Sequence, residues 1–103
     1  MPEIKTQPLL ATHVPDKEAF LRDAIAGSFR VSTRDSDGWQ QFWYCCPCGC
    51  GATAPLTVGN KFKPDGGPSW LWDGSTDAPT LSPSVNHVGH WHGFLRRGVW
   101  ESC

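Results

Sequence analysis

The sequence predicts an α+β domain that is mostly β: a small antiparallel sheet, one N-terminal helix packed against it, and a cysteine-rich turn acting as a staple. Three observations predict it. Six tryptophans and five phenylalanines share 103 residues with eleven glycines and nine prolines, a composition suited to turn-rich β structure. Helical spacing of apolar residues occurs in a single segment near the N-terminus. Finally, four of the five cysteines, Cys45, Cys46, Cys48 and Cys50, fall within six positions.

Length and charge narrow the possibilities. A chain of 103 residues has room for one core, of a size at which burial alone leaves stability marginal, so a staple matters. Nine basic against ten acidic residues give a net charge of -1 with no block of either sign, which argues against nucleic-acid binding by bulk charge and against an anionic membrane surface. No apolar run reaches the roughly 20 residues of a membrane span, and the N-terminal stretch lacks the layout of a secretory signal. A cytoplasmic location is expected.

The elements follow in order. Residues 1–14 hold two prolines and no apolar period, and read as an extended arm; residues 15–103 read as a single zinc-binding domain. Pro15 or Asp16 can open a helix at about 16–26, because Phe20, Leu21, Ala24 and Ile25 recur at three- and four-residue spacing and Gly27 suits a C-terminal cap. SFRVST then predicts a short strand and RDSDG a turn. WQQFWYCC predicts a strand with aromatic residues on both faces, covered on both sides. ATAPLTV returns as its partner. NKFKPDGGP is a loop, since its prolines and paired glycines suit neither a helix nor an interior strand. SWLW and PTLSPSV are strands separated by DGSTDA, and HWHGFLRRGVWES is a hairpin turning near Arg97 and Gly98.

The clustered thiols carry the chemistry. Crowded cysteines fit a disulfide framework poorly and fit a borderline-soft cation of tetrahedral preference well, which makes Zn2+ the expected cofactor. Two ligand sets compete. Cys45 and Cys48 form a C-x2-C pair followed by Gly49, the spacing of a zinc knuckle. Alternatively Cys46, Cys48 and Cys50 are the ligands, with Gly49 and Gly51 permitting the tight wrapping; neighbours Cys45 and Cys46 at a strand end point to opposite faces and do not share an ion. The fourth position falls far along the chain, to His92 first and His90 second, which share a face if HWH is a strand. Such a pairing closes a loop of about 40 residues, where a clip stabilises most. Cys103 reads as a free thiol, and His13 and His87 as ordinary surface or core residues.

The string FWYCCPCGCGA, followed by a tryptophan segment, APTLSPSV and HGFLRRGVW, resembles a small zinc-binding family of unknown function. Its members occur in tailed-phage genomes and beside bacterial ubiquitin-like conjugation genes, and are often labelled as ammonia monooxygenases, which nothing in these residues supports. The resemblance covers roughly residues 39–103. It implies Cys46, Cys48, Cys50 and His92 as metal ligands. Relatives carry a further cysteine where this chain has Gly89, so the resemblance also allows a fourth ligand moved to His90.

The expected function is a non-enzymatic structural-zinc module of phage or prophage origin, acting on a host or phage protein through contacts. A minor virion component, and a small zinc-dependent hydrolase or deaminase-like enzyme, are the alternatives. Thiolate-rich coordination favours a closed structural site, and neither H-E-x-x-H nor the deaminase pattern is present. No catalytic residue is assigned; for an enzyme, Asp73, Asp77 and Glu101 are the carboxylates to test. Thr80, Ser82 and Ser84 give PTLSPS the look of an edge strand bordering a pocket or of a solvated edge. Trp70, Trp72 and Trp91 are read as core ahead of a recognition surface.

Overall fold

The first three residues of the predicted arm lie outside the residues described by the computed structural model, which are 4–103. The remainder of the arm docks as two short strands, β1 (Leu9–Leu10) and β2 (Thr12–His13). Helix α1 (Lys17–Asp23) follows, then β3 (Ser28–Val31), β4 (Trp39–Cys45), β5 (Thr53–Asn60), β6 (Trp70–Trp72), β7 (Leu81–Ser82), β8 (Val85–His87), β9 (Trp91–Arg96) and β10 (Val99–Ser102). Mostly β with one short helix is the class the composition predicts.

The strands form two sheets. One has four strands in the order β1-β10-β9-β8, all antiparallel; the other has six in the order β2-β3-β4-β5-β6-β7, with β2/β3 and β5/β6 parallel. Their inner faces share one core. Phe29, Phe42, Tyr44, Leu56, Val58, Trp72 and Leu81 from the larger sheet meet Val85, Trp91, Leu95 and Trp100 from the smaller. Tyr44 and Trp100 place their ring centroids 5.6 Å apart across the interface. Alternation decides which aromatics enter: Phe42 and Tyr44 point inward, while Trp43 lies on the opposite face of β4 beside Arg30. Helix α1 covers that outer face, with buried Phe20 against the Arg30 guanidinium. Trp72, Trp91 and Trp100 are buried, whereas Trp70 is half-buried.

Asp16 caps the helix as its sequence predicts, its Oδ2 accepting from the Ala19 amide at 2.9 Å. The helix stops earlier than expected. Ala24 takes the left-handed conformation at φ 43° and its amide bonds the Phe20 carbonyl, so the cap falls on an alanine rather than on Gly27. Gly27 serves a tertiary contact. A Cβ there would stand 2.9 Å from Leu9 Cδ2 and 3.0 Å from Trp100 Cδ1, and its carbonyl accepts the Trp100 indole N–H at 2.9 Å. The last hairpin turns on Arg97 and Gly98, at φ 50° and 77°, which suits a two-residue turn between right-twisted strands.

Candidate functional site

Strand β4 ends at Cys45, and the chain then wraps tightly: the Cys46 amide donates to the Ala52 carbonyl at 2.8 Å and the Gly49 amide to the Cys46 carbonyl at 3.1 Å. Gly49 and Gly51 hold φ of 88° and 83°, with no atom near either missing Cβ, so backbone conformation and not space requires glycine there. The wrap brings Cys46, Cys48 and Cys50 together, with their Sγ atoms all within 4.8 Å of one another and Cys46 to Cys48 at 3.3 Å. Thiolates about 2.3 Å from a tetrahedral ion stand roughly 3.8 Å apart, so the three cysteines are arranged to bind a metal ion.

Their electrostatics agree. Burial pushes the Cys46 thiol far above its ordinary range; the backbone hydrogen bond from Cys48 opposes the rise, while the Cys48 and Cys50 side chains add to it. At the rim of the turn, the backbone hydrogen bond from Ala52 pulls Cys50 down. Deprotonating all three at once concentrates negative charge, which a cation offsets. Cys45 is fully buried and outside the cluster, and exposed Cys103 lies at the other end of the chain.

The two histidines of HWH part company. Strand β9 begins at Trp91, so His90 belongs to the preceding turn, closed by its amide on the His87 carbonyl at 2.8 Å. From there its Nδ1 lies 3.9 Å from Cys48 Sγ. The His90 ring also packs against His87 at 4.9 Å between centroids, and His87 Nδ1 pairs with the Tyr44 hydroxyl at 3.2 Å. Burial, then the nearby His90, lowers the His87 pKa.

His92, the fourth ligand expected first, is directed elsewhere: its Nε2 lies 3.0 Å from Ser84 Oγ. Register accounts for the contact. Asn86 is opposite His92, and Ser84 lies two residues before Asn86, which makes it the diagonal neighbour of His92 on the same face. Ser84 is further anchored by its carbonyl, which accepts the Trp70 indole N–H at 3.0 Å. Both side chains are half-buried and reach solvent on the outer face of the four-stranded sheet.

PTLSPS suits a pocket edge or a solvated edge equally by its residues, and nothing in it links Ser84 to His92. No local motif marks the pair, because it depends on β8 and β9 pairing in this register. Among the described residues no carboxylate hydrogen-bonds the His92 ring. Asp73 instead organises its own turn, accepting from the Ser75 and Thr80 amides at 3.0 and 3.2 Å. No helix of the described residues is long and apolar enough to cross a membrane.

Fold and site together define a small two-sheet β domain that joins a cluster of three cysteines able to hold a metal ion to a half-buried serine–histidine pair open to solvent. Residues 14–103 match the family described as bacterial ubiquitination-like system serine protease (BubE), and the chain belongs to that family. No curated protein and no solved structure matches it significantly. The family agrees with the resemblance to proteins encoded beside bacterial ubiquitin-like conjugation genes. It overturns the expectation of a non-enzymatic module acting through contacts, since the family is described as a protease. That expectation failed because thiolate-rich coordination speaks to the metal alone, and says nothing of a nucleophile elsewhere on the domain.

Proposed function

We propose that this chain is a serine peptidase of a bacterial ubiquitination-like system, with Ser84 as nucleophile and His92 as general base. The observation that carries the reading is the 3.0 Å contact between Ser84 Oγ and His92 Nε2, within the reach a nucleophile–base pair needs. Ser84 Oγ attacks the scissile carbonyl while its proton passes to His92 Nε2. The protonated imidazole then gives that proton to the leaving amine, and an ester to Ser84 remains. A water molecule, deprotonated by His92, hydrolyses the ester and restores the serine. The expected protein partner becomes the substrate: a ubiquitin-like protein or its conjugate, cut at a peptide or isopeptide bond.

Zinc is the metal we assign to the cysteine turn, held by Cys46, Cys48 and Cys50 with His90 as the fourth ligand. The 3.9 Å approach of His90 Nδ1 to Cys48 Sγ and the engagement of His92 with Ser84 support this set over one containing His92. A closed four-ligand site is structural. It ties the β4–β5 turn to the β8–β9 turn, and so braces β9, which carries His92, and β8, which Ser84 immediately precedes.

A fluorophosphonate probe with peptide mapping tests the reading. Labelling of Ser84 in the wild type, lost in Ser84→Ala and reduced in His92→Ala, is expected. Labelling confined to any other residue, or none in folded protein, rejects the assignment.

A further inference from the structure

The outer face of the four-stranded sheet extends beyond the serine–histidine pair. On β9, His92, Phe94 and Arg96 share that face, while Trp91, Gly93 and Leu95 point to the core. Across the ladder, Val99 is opposite Arg96 and Glu101 is opposite Phe94, so β10 continues the same surface. At the hairpin end this surface deepens into a cleft of about 490 Å³ lined by Thr80, Arg96, Arg97, Val99 and Glu101.

The charge of the cleft is specific. Two arginines and a single carboxylate line it, and among the described residues the one salt bridge is Arg22 to Asp23, so neither arginine of the cleft is ion-paired. Arg96 is nonetheless held in place, its guanidinium 3.9 Å from the centre of the Phe94 ring. The main chain at Arg97 is held at the cleft, its amide donating to Thr80 Oγ1 at 2.9 Å. Unpaired guanidiniums match a carboxylate in planar geometry, and that of Arg96 is already positioned by Phe94.

We infer that this cleft is a substrate subsite that takes an acidic side chain of the protein being cut, and that Arg96 and Arg97 are specificity-determining residues. The inference rests on the peptidase reading of Ser84 and His92. Distance sets the position of the acidic residue. Arg96 is four residues along the strand from His92, about 13 Å, and an extended substrate advances about 3.3 Å per residue. The preferred Asp or Glu therefore lies about three to five residues from the scissile bond, on one side of it.

Digestion of a proteome-derived peptide library, with the cut sites sequenced, tests this. For the wild type, Asp and Glu are enriched several-fold at one position three to five residues from the cut. In Arg96→Gln/Arg97→Gln that enrichment disappears, and in Arg96→Glu/Arg97→Glu it turns to Lys and Arg at the same position. Thermal unfolding of both variants verifies that they fold; if the Glu pair does not, the Gln pair decides. Wild-type cut sites with no acidic preference there, or a preference that survives in the Gln pair, overturn the inference. Fluorophosphonate labelling separates the two levels. Ser84 labelled and cut sites without acidic preference reject the subsite alone, whereas absence of Ser84 labelling or of any cleavage rejects the peptidase reading beneath it.

Discussion

Replacing His90 by alanine separates the two histidines of HWH by their effect on stability. Cys48 and His90 are 42 positions apart, so a metal bridging them closes a loop of that length in the denatured chain. The chain-entropy relation for a cross-link of this size gives about 4 kcal/mol. At roughly 4–5 °C per kcal/mol for a domain near 100 residues, His90→Ala lowers Tm by about 15–20 °C. The assay is thermal unfolding by circular dichroism of zinc-loaded protein, with bound metal measured on the same samples. Chelator added to the wild type produces a loss at least as large, because it releases the three thiolates as well. His92→Ala removes a half-buried hydrogen bond to Ser84, worth about 1 kcal/mol, and shifts Tm by roughly a quarter as much. Cys103→Ala, at an exposed thiol outside the cluster, leaves Tm unchanged. A His90→Ala protein that melts within a few degrees of the wild type, or a His92→Ala protein that shows the larger drop, would refute the ligand assignment.

Other consequences are independent of the clip. Ser84→Ala lowers kcat/KM for a cleaved substrate by about 10³-fold or more while Tm stays within a few degrees, as expected for loss of a nucleophile that packs little. Trp100→Ala empties a fully buried site and strands the Gly27 carbonyl, costing about 3–5 kcal/mol in urea unfolding. Gly93→Ala puts a Cβ against the Glu101 carbonyl and 2.5 Å from Trp91 Cη2; it destabilises by about 1–3 kcal/mol or more and disturbs the strand that carries His92, so activity falls along with Tm. Gly66→Ala, with a φ of 76° but open space around its Cβ, costs only about 1 kcal/mol in the same unfolding assay.

What could be read in the sequence is what neighbouring residues settle among themselves. Cys46, Cys48 and Cys50 reach one point because two glycines permit a tight wrap over five residues, and those residue types in that spacing imply it. Asp16 caps its helix and Arg97-Gly98 turns the last hairpin for similarly local reasons. Burial of Trp72 and Trp91 follows from how much aromatic surface so short a chain must hide, whereas Trp70, expected in the core with them, is only half-buried.

The tertiary structure decided the rest, and it decided most of the function. Whether HWH presents both imidazoles to one ion depends on where β9 begins; starting at Trp91, it leaves His90 in the turn beside Cys48 and hands His92 to Ser84. Side chains alternate along a strand, so a register shifted by one residue sends His92 to the opposite face and dissolves the pair. The division into two sheets, the docking of Leu9 on Trp100 and the need for glycine at position 27 likewise arise between segments far apart in the chain. Local residue chemistry determined that this protein gathers thiolates; strand register, a property of the assembled sheet, determined that a serine meets a histidine.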